Sequence, residues 1–280
     1  VAIPSYDEYR REVSTGATEP PEPVTLQVNA ISYTSKNSYD LRMGSLTDPS
    51  VSPSDPVDRL LNIIDGVSWE TSGEEVTFTI TVPADGDYTL TFHYNIPRSD
   101  LSAFRSIRID EEIPFTETAP YEFRSTGSSR WRNETLSAPD GTPFRFHLTA
   151  GEHTLSVQSE KEPVADAIRA LKTIIAHMNY FGIEIMKVAG REIDENRTWR
   201  LTDYIEKTPD YLDAYQVLIA DIIDDISNHT RNGEDSSITA SLFTALFKLE
   251  KLAEDPDELP VYLQDIYSTS IYDRPVTQIL

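Results

Sequence analysis

Cysteine is missing from all 280 residues, which excludes disulfides, thiolate metal sites and a cysteine nucleophile. An exported bacterial protein or a cytosolic one fits that lack better than a small secreted domain, which usually carries disulfides. Positive charge is scarce: 24 Lys and Arg stand against 47 Asp and Glu, for a net charge of −23. Nothing on such a chain offsets phosphate repulsion, so nucleic acid and anionic membrane surfaces are not expected as partners. A neutral ligand or a soluble charged partner stays open. Long apolar runs are also missing. The most apolar stretch, Thr173–Val188, is broken by His177, Asn179, Glu184 and Lys187. It falls short of the roughly 18 apolar residues of a membrane helix, so no membrane insertion is expected. The chain opens at Val1 without a charged n-region or an apolar h-region, so any export signal is expected to have been removed. Catalytic motifs are lacking too: there is no Gly-x-Ser-x-Gly elbow, no phosphate loop and no zinc motif. No cofactor and no enzyme are expected. The many acids leave room for a glycosidase-type carboxylate pair, but none is singled out.

What is present is a change of period. Val76–Val82 alternates apolar and hydroxylated residues, the pattern of a half-buried strand. Pro83-Ala-Asp-Gly86 reads as a turn, and Tyr88–Tyr94 resumes alternation with aromatic and β-branched residues. Ser106–Asp110 adds a short strand. Phe144–Leu148 and His153–Val157, around a turn at Ala150–Glu152, read as a hairpin. Upstream, Ser5–Arg11 predicts a short helix with Tyr6 and Tyr9 on one side. Thr15–Pro23 reads as a linker, Val24–Tyr33 as a first strand and Asp48–Pro56 as a loop.

From Glu160 the repeat becomes helical. Val164, Ile168, Leu171, Ile175, Met178, Gly182, Ile185 and Ala189 follow four-three spacing, widened by Ile174, Phe181 and Val188. Pro163 suits the first turn and Gly190 the stop. A second helix follows Thr208-Pro209, with Thr208 as its cap and a stripe of Leu212, Tyr215, Ile219, Ile222 and Ile226. A third runs from about Ser236 through Leu252. Asp255-Pro-Asp-Glu258 reads as a capping box for a fourth helix that Pro275 stops. The apolar end, Val276–Leu280, suggests a piece of a longer protein. The expected fold class is α+β: a helix and linker over 1–23, a β-sandwich over 24–159 and a helical bundle over 160–280.

The β region resembles the galactose-binding-like jelly rolls of carbohydrate-binding modules. Val76–Pro83, Gly86–Leu90, Arg105–Asp110 and Leu148–Leu155 carry the likeness. The whole chain resembles the N-terminal part of extracellular solute-binding lipoproteins of Gram-positive sugar ABC importers. There the bearing residues are Ser5–Tyr9, Ile113–Glu117, Arg130-Trp131 and Gly190–Arg197. The resemblance implies a cell-surface lipoprotein, a carbohydrate ligand, and an ABC permease or other surface protein as partner. Related modules often hold calcium with carboxylates on the first strand. Here Asn29 and Ile31 stand at those places, and no metal is expected.

A pyranose presents an apolar C–H face that an exposed ring can cover while polar neighbours bond its hydroxyls. Trp69, Trp131, Tyr121, Phe123, Tyr39 and Tyr33 are the aromatic candidates. Trp131 has the most suitable neighbours, so the candidate ligand set is Trp131, Arg130, Arg132, Asn133, Tyr121 and Phe123. The plainer reading places the Trp rings in the sandwich core. Arg98, Arg105, Arg108, Arg124, Arg130 and Arg132 could clamp an acidic sugar, but pairing with Asp110, Glu111, Glu112, Glu117 and Glu122 is the simpler expectation. Asp225 and His229 are one helical turn apart, but a solvated polar face explains them. His93 and His147 read as structural or surface groups. Two rivals to a sugar-binding module remain: a structural or protein-interaction module of a surface protein, and an accessory part of a polysaccharide-degrading enzyme.

Overall fold

The computed structural model describes residues 2–13, 24–97, 99–128, 130–190, 192–194 and 196–266. The linker over 15–23, Arg98, the stop at Pro275 and the apolar end lie outside them. The chain divides into two compact units, Val1–Arg98 with Ser102–Lys161, and Ser99–Leu101 with Glu162–Leu280. The first is sheet-rich and the second is a helical bundle, the fold class that the change of period predicts.

The first unit begins with α1 (Tyr6–Val13) and continues through β1 (Ser35–Lys36), β2 (Met43–Gly44), β3 (Ile63–Ile64), β4 (Glu75–Val82), β5 (Gly86–Tyr88), β6 (Thr91–Tyr94), β7 (Ala103–Ile109), β8 (Tyr121–Phe123), β9 (Arg132–Thr135), β10 (Phe146–Leu148) and β11 (Gly151–Glu160). Its main sheet has the order β1-β4-β11-β7-β8, with neighbouring strands antiparallel. Three strand pairs complete the unit: β10 with β5, β2 with β3, and β6 with β9. Alternation buries Val76, Phe78 and Val82 of β4 and leaves Thr79 and Thr81 exposed, as period two requires.

Three expectations are corrected. Val24–Tyr33 is not a strand. Val24, Leu26 and Val28 are exposed, and the chain closes into a 3-10 turn at Ala30–Ser32. Ser35–Lys36 pairs with β4 instead. The run Tyr88–Tyr94 is broken between β5 and β6 because its two ends serve different partners. The hairpin expected around Ala150–Glu152 is a crossover: β10 pairs with β5, while β11 pairs with β4 and β7. Local alternation marks a strand but does not choose its neighbour.

The core of this unit is aromatic. Phe115 sits against Phe144 at 5.1 Å and Phe146 at 5.3 Å. Tyr6 and Tyr9 of α1 lie 4.9 Å and 5.2 Å from Phe115. The same tyrosines accept backbone N–H bonds through their hydroxyls, from Arg145 and His147 respectively. Glu117 accepts the Tyr6 N–H at the helix start, a carboxylate at the positive end of the helix. Arg10 donates to Asp87 at 2.6 Å, and that bond holds the Asp87 carboxyl below the usual carboxylate range.

The second unit contains α2 (Ala165–Ala189), α3 (Thr208–Ser227), α4 (Ser237–Glu254) and the short α5 (Leu263–Ile266). On α2 the fully buried stripe is Ala167, Leu171, Ile174, Met178, Phe181, Gly182 and Ile185. Ile168, Ile175 and Ala189 are only half-buried, so the stripe's centre lies one position before the expected one. Gly190, at φ 82°, ends α2 and donates its N–H to Met186 O. Ser236 caps α4 by accepting the Thr239 N–H at 3.1 Å.

Two caps differ from expectation. The Thr208 hydroxyl donates back to Ile205 O instead of capping α3. Pro256–Glu258 is a 3-10 turn whose acids work elsewhere: Asp257 accepts from Thr202 and Glu258 from Trp199 N. Asp100 accepts from the Ser237 N–H and hydroxyl and from Arg231, which anchors Ser99–Leu101 within this unit. Among the described residues, no helix is long and apolar enough to cross a membrane.

Candidate functional site

Strand register decides which candidate residues meet. β6 and β9 pair antiparallel, with His93 opposite Asn133, Phe92 opposite Glu134 and Tyr94 opposite Arg132. Phe92 and Tyr94 pack on the aromatic core, so His93 and Asn133 point the other way. Asn133 Oδ1 lies 2.6 Å from His93 Nδ1, an exposed cross-strand bond. The Trp131 indole stacks on the His93 ring at 5.1 Å between centroids and 17° between planes. Trp131 is half-buried, and Asn133 and His93 are exposed. The result is a flat aromatic pair beside a fixed amide on the outer face of the β6–β9 ribbon. Asp48 borders it electrostatically. Its carboxyl is held low chiefly by the Ser50 hydroxyl and N–H, with a smaller contribution from His93.

The remaining candidates divide. Arg132 pairs with Glu134 at 2.9 Å, and the Tyr121 hydroxyl donates to Glu134 at 3.2 Å. Tyr121 also accepts the Ser137 N–H. Burial pushes its phenol up. Tyr94, beside this group, is pushed up to about 12 by burial while its hydroxyl donates to Arg124 O. Arg130 is exposed. Phe123 is corrected outright. It is 5% exposed and sits edge-on to Phe92, Tyr94 and Tyr121 at 5.2–5.4 Å, so no ligand can stack on it.

Trp69 is part of the packing. Its Nε1 donates to Glu74 O, and the Arg105 guanidinium lies 4.7 Å over its ring. Arg105 donates to Phe104 O, Ser159 Oγ and Trp69 O, and burial lowers its pKa to about 10. Arg108 joins Glu75 at 2.7 Å and Gln158. Asp110 bonds His153, and Glu117 holds α1, so these acids have partners other than the expected arginines. Asp221, Asp224 and Asp225 are exposed on α3, and Asn228 is exposed just after it. Among the described residues, no three His, Asp or Glu side chains are placed to hold a metal ion.

Sequence reasoning missed His93 as a partner of Trp131. Both residues are ordinary members of their own segments, and only the β6–β9 register joins them. It also passed over the neighbours of Tyr39. An open pocket of about 360 Å³ lies beside that ring, lined by Asp40, Arg42, Glu70, Thr71 and Glu74 among others.

Comparison with known proteins bears chiefly on the second unit. Residues 166–274 match the model of the bacterial solute-binding protein, 4-helix bundle domain. No curated protein matches the chain by sequence. Among solved structures, it is similar to a family 35 carbohydrate binding module from Clostridium thermocellum, at 14% identity and a TM-score of 0.35, covering 47% of this chain and 83% of that one. A Paenibacillus sp. cycloisomaltooligosaccharide glucanotransferase matches at 22% identity and a TM-score of 0.36, covering 55% of this chain and 19% of that one. A family 35 module from Cellvibrio japonicus Abf62 matches at 16% identity and 0.27, covering 42% and 77%. At such identities and TM-scores these likenesses bear on neither ligand nor site.

Proposed function

We propose that this chain is a non-enzymatic carbohydrate-binding or accessory module of an extracellular solute-binding protein that serves sugar import, with the glycan held on the β unit. The observation that carries the reading is the Trp131–His93 stack with Asn133 fixed beside it. An indole face covers the C–H face of a pyranose, and a restrained amide offers hydroxyl contacts at low ordering cost. Trp131 is the platform, Asn133 the polar contact and His93 the support that orients both. Arg130 and Arg132 flank it, and Tyr121 braces Glu134 behind Arg132. The match of residues 166–274 to a solute-binding bundle supports a place in an uptake system. A lipoprotein on a Gram-positive surface, with an ABC permease as partner, completes the reading.

The test is calorimetric titration of the full chain with a panel of neutral and acidic oligosaccharides, beside Trp131→Ala. Wild-type binding that weakens roughly tenfold in the variant is expected, the loss of one good aromatic contact. Silence across the panel, or binding indifferent to Trp131→Ala, overturns the reading.

A further inference from the structure

We infer that the pocket beside Tyr39 is a second sugar subsite, separate from Trp131, that takes one neutral pyranose residue. The inference rests on the reading of the β unit as a glycan binder and adds a site to it.

Tyr39 is fully exposed, at 100% of its reference area, although an aromatic ring gains by burial. It is not on a slack loop. Asn37 Nδ2 donates to Gly73 O at 2.8 Å, and Asn37 Oδ1 accepts the Glu75 N–H at 2.7 Å. Ser38 Oγ donates to Glu74 at 2.8 Å and accepts the Asp40 N–H at 3.2 Å. The Arg42 N–H bonds Ser68 Oγ at 2.8 Å. Four bonds to residues 68–75, with a fifth inside the segment, thus hold 37–42 in place on both sides of the ring. The ordering cost of a binding loop is met before any ligand arrives.

The depression beside the ring, open to solvent and mainly polar, has a volume of about 360 Å³. Its base includes Glu74, only 7% exposed, whose two oxygens accept from Ser38 Oγ and Thr71 N. Glu74 is therefore a brace, and the groups left to meet a ligand are Asp40, Arg42, Glu70 and the Thr71 hydroxyl at the rim. Carboxylates accept from sugar hydroxyls, and a guanidinium donates to hydroxyl or ring oxygens. Asp40, Glu70 and Glu74 outweigh Arg42, on a chain already at −23, so a uronate or phosphate is repelled and an uncharged sugar is selected. Tyr39 supplies the face for its C–H side.

The experiment is a two-dimensional amide NMR titration of the full chain with neutral oligosaccharides, for wild type, Tyr39→Ala, Arg42→Ala and Trp131→Ala. Shifts at Val67, Ser68 and Thr71 that persist in Trp131→Ala, and that Tyr39→Ala and Arg42→Ala each weaken roughly tenfold, support the subsite. Ligand-induced shifts confined to Asn133 and its neighbours, unaffected by Tyr39→Ala, overturn the subsite and leave the Trp131 reading standing. A spectrum that no glycan moves anywhere overturns both.

Discussion

Phe115 in the β unit and Leu242 in the helical unit are both fully buried, yet they occupy different kinds of core. Around Phe115 the neighbours are rings at edge-to-face, tilted and, for Phe146, stacked angles, with tyrosine hydroxyls bonded to backbone N–H groups at the margin. Leu242 belongs to α4's buried stripe of Ile238, Ala245, Leu249 and Leu252, in a unit whose other helices are also Leu- and Ile-rich. The first core is specified by directional contacts and the second by spacing. Chemistry follows the same division. The Trp131–His93 stack, the half-buried Arg105 over Trp69 and the carboxylate pocket fall in the β unit, while the helical unit has its own ring cluster of His177, Phe181, Tyr211 and Tyr215. The helical unit presents acids to solvent on α3.

Two truncations sharpen this contrast. Phe115→Ala removes the ring at the centre of its cluster and is expected to cost about 3–5 kcal/mol. Its mark is a partial loss of near-ultraviolet dichroism, from the rings of that cluster, with the contribution of Trp199, Tyr211 and Tyr215 in the helical unit retained. Leu242→Ala is expected to cost about 2–5 kcal/mol and to show instead as lost helical signal on denaturant titration. If Leu242→Ala erased the aromatic signal while Phe115→Ala spared it, the assignment of the two cores would be wrong.

A smaller effect separates the units by pH. The hydrogen bond to Asp110 raises the His153 pKa above its ordinary value. Burial pushes Asp110 up, but the His153 bond and the Thr154 N–H outweigh it and leave its carboxyl low. A raised histidine stabilises fully below its unfolded pKa, about 6.5, and the gain is lost as pH rises through its folded value. A lowered carboxyl stabilises above about pH 3.9 and loses that gain as pH falls through its folded value. The pair therefore contributes most between about pH 4 and 6.5. His153→Gln should destabilise more at pH 5 than at pH 8 in urea titrations, and an equal loss at both would contradict the pairing.

The smallest effect belongs to the α3 surface. Asp221→Ser and Asp224→Ser, both exposed, are expected to change stability by less than about 0.5 kcal/mol. A large loss in either would reveal a structural role that the geometry does not give them.

The helices of the second unit and most of their buried stripes were legible in the sequence, because i to i+4 neighbours are set by the chain itself. The stop at Gly190 could be read, whereas the caps expected at Thr208 and Asp255–Glu258 are not formed. In the β unit, strands such as Glu75–Val82 were legible but their partners were not. Pairing joins residues far apart in sequence, as His93 and Asn133 show, and no local pattern encodes it. The same limit hid the pocket, where Tyr39 and Arg42 meet Glu70 and Thr71 from a different segment. Phe123 was misplaced because an aromatic in a loop-rich stretch reads alike whether it faces inward or outward. Val24–Tyr33 carried the composition of a strand but pairs with no strand in the described structure.

The three tryptophans allow the most direct test of where the ligand sits. Trp131 and Trp69 belong to the β unit. Trp199 is buried in the helical unit with its Nε1 bonded to Asp194 O. In a spectrum of indole N–H resonances recorded as glycan is added to the full chain, the Trp131 signal should move and the Trp199 signal should stay. Movement of Trp199 with Trp131 fixed would place the ligand on the helices and contradict the account.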